Sequence, residues 1–316
     1  MLDAISGVVA AWQSLLGWFA AAFGIEMLQY GFMQRAILVG LCIGVMAPLI
    51  GTFLVHRQLA LIGDALAHTA FAGVAVGLFV NAVFDTGVSP YLSAVVVAAI
   101  AALLIEVISE KTDVYNDVSM AIVLSTGFAL GTVLISINAG GLAVGVNQYL
   151  FGNLATVSVE NASLLLVLFA LIVAVVAVAY KQLVYVTFDE TAAKVAGLNV
   201  KWYNRMTAML TALVVVGAMQ IMGVILVAAM LVVPVAGAAQ LARSFRGALL
   251  ASIVLAELAV IVGITMAYEF EATAGGVIVL VAVAIYVGAV LIGKFRERRS
   301  DVVSVAESGQ DESTAD

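Results

Sequence analysis

The chain has 316 residues, of which 64% are hydrophobic and only 10% are charged. A soluble domain usually carries about 25% charged residues, so this composition excludes a soluble fold and indicates a membrane protein. The net charge of -7 argues against nucleic acid as a partner. The single cysteine, Cys42, excludes an intramolecular disulfide and a cysteine metal cluster.

Residues 1–26 form an N-terminal extension that can be placed in two ways. Residues 5–25 are apolar and uncharged, so the segment is either an interfacial helix or an extra span. We favour the interface, because Gln13, Ser14 and three glycines weaken the segment as a span. No basic stretch precedes the apolar run, so we expect no cleavable signal peptide.

Residues 27–293 contain the apolar runs that predict a membrane domain. A span needs about 20 apolar residues in a helix, so the sequence predicts an all-α polytopic membrane protein with about eight transmembrane helices, or nine. The region 206–241 is long enough for two short spans with a turn near residues 220–223. The other runs lie at 32–55, 59–80, 90–109, 117–137, 161–180, 247–267 and 275–293.

The lysines and arginines are distributed unevenly about these spans. All of the 13 except Arg35 fall on one face, which the positive-inside rule assigns to the cytoplasm. The opposite loops, 81–89, 138–160 and 268–274, contain none. We therefore expect a cytoplasmic C-terminus. Residues 294–316 end the chain in a polar, acidic sequence that predicts a disordered cytoplasmic tail.

Ionisable side chains inside a span are costly, so each is a candidate functional residue. Asp64 and His68 are four residues apart, which places them on one face of a helix. A carboxylate and an imidazole can together hold Zn²⁺ or Mn²⁺, and two ligands hold it weakly enough to release it. The alternative is a buried hydrogen bond between the two side chains. Glu257, near the middle of a later span, is a further candidate for the metal pathway or for a polar pair.

Three small or helix-breaking residues are predicted to shape helix packing. Gly73 and Gly77 lie four residues apart, a spacing that lets two helices approach closely in lipid. Pro234 lies inside a predicted span, where it frees a backbone carbonyl and favours a kink.

The loop 187–203 is unusual among the predicted cytoplasmic connections. Thr187 and Glu190, with Asp189 between them, have the form of a capping box. Good helix formers follow as far as Ala196, and Gly197 can end the helix. The sequence therefore predicts a short cytoplasmic helix, either an ordinary connector or a docking site for a motor.

The chain is not expected to hydrolyse ATP itself. Residues 288–295 approach a phosphate-binding loop, but Phe295 replaces the hydroxyl residue that Mg²⁺ requires, and no strand precedes the run. If ATP drives this protein, a partner must hydrolyse it, and the chain is a transport subunit rather than an enzyme.

Several of these segments occur in the order found in one known family. Residues 32–36, 59–68 followed by Gly73, 188–197, and 223–234 resemble the start, second-span signature, cytoplasmic loop and late span of that family. The chain thus resembles the integral permeases of ABC importers for zinc, manganese and iron, over about residues 27–292.

The resemblance implies the transport of a divalent transition metal, zinc or manganese and also iron, into the cytoplasm. It implies two permease copies, cytoplasmic ATP-binding subunits docked at Thr187, Asp189, Glu190, Ala196 and Gly197, and an extracytoplasmic metal-binding protein. Asp64 and His68 match positions that the family is thought to use for metal. No permanently bound cofactor is expected, because the metal is cargo.

Three other functions remain open on the sequence. An ion-gradient-driven transporter would work without an ATPase. A permease for a metal chelate, such as a siderophore or a corrinoid, would not need Asp64 and His68. A membrane scaffold would use the two residues only for stability.

Overall fold

The computed structural model describes residues 2–111, 115–137, 152 and 157–313, with side chains described throughout these ranges except at 2–5, 220–221 and 296–313. The described residues form helices without a strand. A 3₁₀ turn at Glu26–Gln29 precedes the second helix. The α-helices are α1 (Leu2–Phe23), α2 (Gly31–His56), α3 (Ile62–Phe84), α4 (Pro90–Lys111), α5 (Asn116–Ile137), α6 (Val159–Phe188), α7 (Glu190–Val195), α8 (Val200–Met222), α9 (Val224–Leu241), α10 (Phe245–Glu269) and α11 (Ala274–Ser313).

The helical membrane fold predicted from the sequence is confirmed. Within the described ranges, 9 helices are long and apolar enough to cross a membrane. They include α1, through Ser6–Phe23, but not α8. The first turns of α8 are polar because they carry Lys201, Asn204 and Arg205. With 23 residues, α8 is nevertheless about 34 Å long, which matches the thickness of a bilayer core.

The N-terminal helix α1 lies at the edge of the bundle. Its apolar window is only 11% buried, and it packs on α2 and α6. The Trp12 indole donates a hydrogen bond to the Gln34 carbonyl at 2.9 Å, which ties α1 to the first turn of α2. Its length and composition suit a span, and its placement at the interface stays a prediction.

Helix α2 is the centre of the bundle, and 78% of its apolar window is buried. It packs on α6, α8, α9 and α10. Gly51 faces the Leu231 carbonyl of α9 so closely that a Cβ atom would overlap it. Pro48 lies within the helix, and the Thr52 hydroxyl donates to its carbonyl at 2.7 Å. Glycine at position 51 therefore sets the distance between α2 and α9.

Helices α3, α4 and α5 pack as a second group, joined to the first through α8 and α9. Gly73 and Gly77 lie where α3 meets α4. A Cβ atom on Gly73 would lie 2.6 Å from the Ala94 Cα, and one on Gly77 would lie 2.9 Å from the Pro90 Cα. Pro234 is buried inside α9, which continues through it.

The last helix is longer than expected. Helix α11 has 40 residues and runs without a break from Ala274 to Ser313, so most of the segment predicted as a disordered tail has a helical backbone. No proline follows Pro234 in the sequence, so nothing in the composition forces the helix to end at the membrane surface.

Candidate metal pathway and the contacts of the short helix

Asp64 and His68 come together at the start of α3. Asp64 lies in the first turn of the helix, and His68 lies one turn later. The His68 Nε2 and the Asp64 Oδ1 are 3.5 Å apart, which is long for a hydrogen bond. A cation about 2.1 Å from each atom would bond to them at an angle of roughly 110°, which is close to tetrahedral. The separation therefore leaves room for a metal ion shared by the two side chains.

The two side chains lie on the accessible stripe of an otherwise buried helix. Between Ile62 and Gly77, only Asp64, His68 and Val76 are partly exposed, and every other residue is buried. The spacing of four residues places Asp64 and His68 on one face, whereas Val76 lies roughly 80° further round the helix than His68. Within this stretch of α3, a solute or a second chain can therefore reach only the side that carries these residues.

The His68 ring is held by an aromatic contact. It meets the Phe128 ring of α5 edge to face, with the ring centres 5.3 Å apart. Its Nδ1 is buried and has no hydrogen-bond partner among the described residues. Because Nδ1 faces the interior, Nε2 is the nitrogen that is available beside Asp64.

Glu257 does not join this pair. It lies in α10, which packs on α2, α9 and α11, and its carboxylate rests against Gly44, where a Cβ atom would lie 2.8 Å from Oε1. In the part of the chain that the structure describes, no group of three or more His, Cys, Asp or Glu side chains could hold a metal ion. Further ligands for a metal at Asp64 and His68 must therefore come from elsewhere.

The predicted short helix is present as α7, but its cap differs from the prediction. Asp189 is the N-cap, and its Oδ1 accepts a hydrogen bond from the Ala192 amide at 2.8 Å. Thr187 belongs to α6, and its hydroxyl donates to the Leu183 carbonyl at 2.7 Å. The predicted capping box is therefore wrong, because α6 continues two turns past the predicted end of its span. Ala196 is the C-cap, and Gly197 follows with a φ of 83°.

Glu190 makes contacts that the sequence did not reveal. Its Oε1 pairs with the Arg57 Nη2 at 2.7 Å and accepts a longer hydrogen bond from the Asn204 Nδ2 at 3.4 Å. Lys194, one turn later, lies 3.9 Å from the other carboxylate oxygen. Arg57 ends α2, so the pair connects residues 133 positions apart. The only signal in the sequence was that Arg57 and Glu190, with opposite charges, both fall on the predicted cytoplasmic face of the membrane.

His56, at the end of α2, packs against other residues rather than standing free in solvent. Its Nδ1 lies 2.7 Å from the Thr52 carbonyl. The ring packs edge-on against Phe188 and Phe245, with centre distances of 6.1 and 5.0 Å. His56 is thus part of an aromatic cluster where α2, α6 and α10 meet.

The surface around α7 exposes large apolar side chains. Val195 is 86% exposed, and Phe188 and Trp202 are also more than half exposed. The opposite face of the helix is packed by Val186, Ala193 and Val200. Because α7 is firmly attached on one side and apolar on the other, its outer surface suits contact with another protein.

Residues 29–293 match the ABC 3 transport family. The chain belongs to this family. It is 32% identical over 260 residues to the manganese transport system membrane protein MntC of Listeria innocua, covering 82% of this chain and 90% of that protein. It is 30% identical to a protein of Haemophilus influenzae named a probable iron transport system membrane protein, covering 87% of this chain and 98% of the relative.

A solved structure agrees with this assignment. The chain is similar to a chain of PsaBC from Streptococcus pneumoniae, solved in complex with Fab, with a TM-score of 0.74 and 30% sequence identity. The match covers 85% of this permease and 94% of that chain. The N-terminal helix α1 lies before the residues that match the family.

Proposed function

We propose that this permease is the membrane-spanning subunit of an ATP-driven importer that moves a divalent transition metal into the cytoplasm. The observation that carries the proposal is the Asp64–His68 pair on the accessible stripe of buried α3. Relatives named for manganese transport favour manganese as the cargo, with iron and zinc as competitors. Oxygen and nitrogen donors suit all three metals.

The pair supplies two ligands to a metal in transit. Two protein ligands leave most of the coordination shell to water or to a second chain, so binding is weak and the ion can leave. The partly exposed stripe of α3 is open to a second copy of the permease. A symmetric homodimer would bring two such pairs to one pathway. No permanently bound cofactor is required, because the metal is the cargo.

ATP hydrolysis is assigned to a separate subunit. We assign the surface of α7 and its flanking residues, from Thr187 to Gly197, as its docking site because this surface is exposed and apolar. An extracytoplasmic binding protein would deliver metal to the opposite face. This arrangement requires the face that carries Arg57, Lys194 and Lys201 to be cytoplasmic, as the positive-inside rule predicts. The C-terminus would then be cytoplasmic too.

The proposal is tested by uptake of radiolabelled manganese, zinc and iron into proteoliposomes that contain the permease, its ATPase subunit and its binding protein. We expect ATP-dependent uptake that falls by at least the roughly 10- to 100-fold that loss of a residue supporting a metal ligand usually costs, in both Asp64→Ala and His68→Ala. Asp117→Ala removes an exposed carboxylate at the start of α5 and serves as the control, with uptake retained.

Each alternative function predicts a different result. Uptake without the ATPase subunit would indicate a gradient-driven transporter. Uptake of a metal chelate that survives both alanine variants would indicate a chelate permease. If Asp64→Ala and His68→Ala lower thermal stability and leave uptake intact, the pair is a structural contact.

A further inference from the structure

We propose that the Arg57–Glu190 ion pair transmits movement of α7 to the start of α3, and so to Asp64 and His68. The inference rests on the proposed function, in which an ATPase moves α7. It adds a specific route from the docking surface to the metal-binding pair, formed by residues that do not touch the metal.

The ion pair is short and well shielded. The Arg57 Nη2 and the Glu190 Oε1 are 2.7 Å apart, and the Arg57 side chain is only 11% exposed, against 41% for Glu190. Charge-assisted hydrogen bonds of this length are stronger than neutral ones, and shielding from water strengthens them further. The pair is therefore a stiffer connection than an exposed surface salt bridge.

Glu190 is fixed to its own helix. It is the first residue of α7, immediately after the Asp189 cap. Asn204 of α8 also donates to its carboxylate, and the buried face of α7, which carries Ala193, is packed between the end of α6 and the start of α8. The carboxylate must therefore move with α7.

Arg57 is fixed to the start of α3 by a tight turn. Only residues 57–61 separate α2 from α3. The Leu59 amide donates to the Leu54 carbonyl at 2.8 Å, and the Ile62 amide donates to the Leu59 carbonyl at 3.1 Å. Gln58 takes a positive φ of 59°, which closes the turn. Because these hydrogen bonds keep the turn rigid, a displacement of Arg57 also moves Ile62 and therefore Asp64, two residues later.

A cavity of about 330 Å³ lies beside the ion pair. It is lined by Arg57, Leu59 and Ile62 at the α2–α3 turn, by Glu190 and Lys194 of α7, and by residues of α4, α5 and α8. The cavity also leaves room for the turn to shift when α7 moves.

The test is a charge reversal measured in two ways in the same proteoliposomes. Arg57→Glu and Glu190→Arg are each expected to lower manganese uptake roughly tenfold, since each places two like charges side by side where an ion pair stood. ATP hydrolysis by the Arg57→Glu variant is expected to stay within about twofold of wild type, because Arg57 lies outside the segment 187–197 assigned to docking. The double exchange, Arg57→Glu with Glu190→Arg, is expected to restore uptake to within about threefold of wild type.

Glu110→Gln is the matched control. Glu110 pairs with Lys201 and Arg205 on the same face, but this pair links α4 to α8 and not to the α2–α3 turn. We expect its uptake and hydrolysis to match wild type. Equal loss in the control, proportional loss of hydrolysis and uptake in the Arg57→Glu variant, or failure of the double exchange to restore uptake overturns the link.

The two proposals fail in different ways. Absence of ATP-dependent uptake in wild type overturns the importer assignment, and the link with it. Uptake that is normal in wild type and unchanged in all the reversal variants overturns the link alone.

Discussion

The polar residues inside the helices fall into two kinds according to what surrounds them. Asp64 and His68 lie together on a partly exposed stripe, whereas both oxygens of Glu257 are buried and lack a hydrogen-bond partner among the described residues. A buried carboxylate without a polar partner is costly, so Glu257 lies in a less favourable environment than the Asp64–His68 pair. Residue type alone did not distinguish these environments.

Gly44 and Glu257 provide a residue-scale prediction about packing. A Cβ atom on Gly44 would lie 2.8 Å from the Glu257 Oε1, so Gly44→Ala is expected to cost about 1–3 kcal/mol of unfolding free energy through overpacking. Glu257→Ala should relieve the clash, so the double variant should be more stable than the sum of the two single changes implies.

Thermal unfolding in detergent would measure this coupling. Gly288→Ala is the control, because its added Cβ would meet nothing within 4 Å. Strict additivity of Gly44→Ala and Glu257→Ala would show that the two positions do not compete for space.

At the scale of elements, α7 is a short helix whose two faces differ. Six residues are too few for a stable isolated helix, so α7 depends on the Asp189 cap and on the contacts of Ala193 with Val186 and Val200. Its opposite side presents Val195 to solvent. The helix is thus held in place by one face and free to bind through the other.

Val195→Asp is predicted to weaken docking without harming the fold. The side chain is 86% exposed, so the substitution should change stability by less than about 0.5 kcal/mol. A charge in an apolar contact should nevertheless cost roughly 2 kcal/mol or more of binding.

Co-purification of the ATPase subunit with the permease would measure this effect. Asp117→Ala, an exposed position outside the docking surface, is the control and should retain the subunit. Full retention of the ATPase by the Val195→Asp variant would place the docking surface elsewhere.

At the scale of the whole molecule, the fold consists of one helix group around buried α2 and a second group, α3 to α5, joined to it through α8 and α9. The basic residues cluster at one end of these helices, and the connections at the opposite end are uncharged or acidic. The charge asymmetry predicts that the α3–α4 connection is outside the cell and the α9–α10 connection is inside.

Single cysteines at these two connections test the orientation. Thr86→Cys should react with a membrane-impermeant maleimide added to intact cells, whereas Arg243→Cys should react only after permeabilisation. Cys42 is buried and should give little background in either case. The reverse labelling pattern would invert the topology and move α7 away from the cytoplasm.

The fold and one candidate site could be predicted from the sequence, each for its own physical reason. Long apolar runs specify helices that cross a membrane. The four-residue spacing of Asp64 and His68 specifies a shared face because helix geometry is local. The cap of α7 was misplaced, since the end of α6 depends on packing that hydropathy does not record. Glu257 could not be placed, because its neighbour Gly44 lies more than 200 positions away.

By itself, then, the sequence determined the membrane class, most helix positions and the local Asp64–His68 pair, all of which follow from hydropathy and helical periodicity. The tertiary structure decided which of these residues lie in the same environment. It set Glu257 apart from the pair, joined Arg57 to Glu190 and packed His56 into an aromatic cluster. Contacts between helices distant in the chain depend on how their faces pack together, and no short sequence window contains that information.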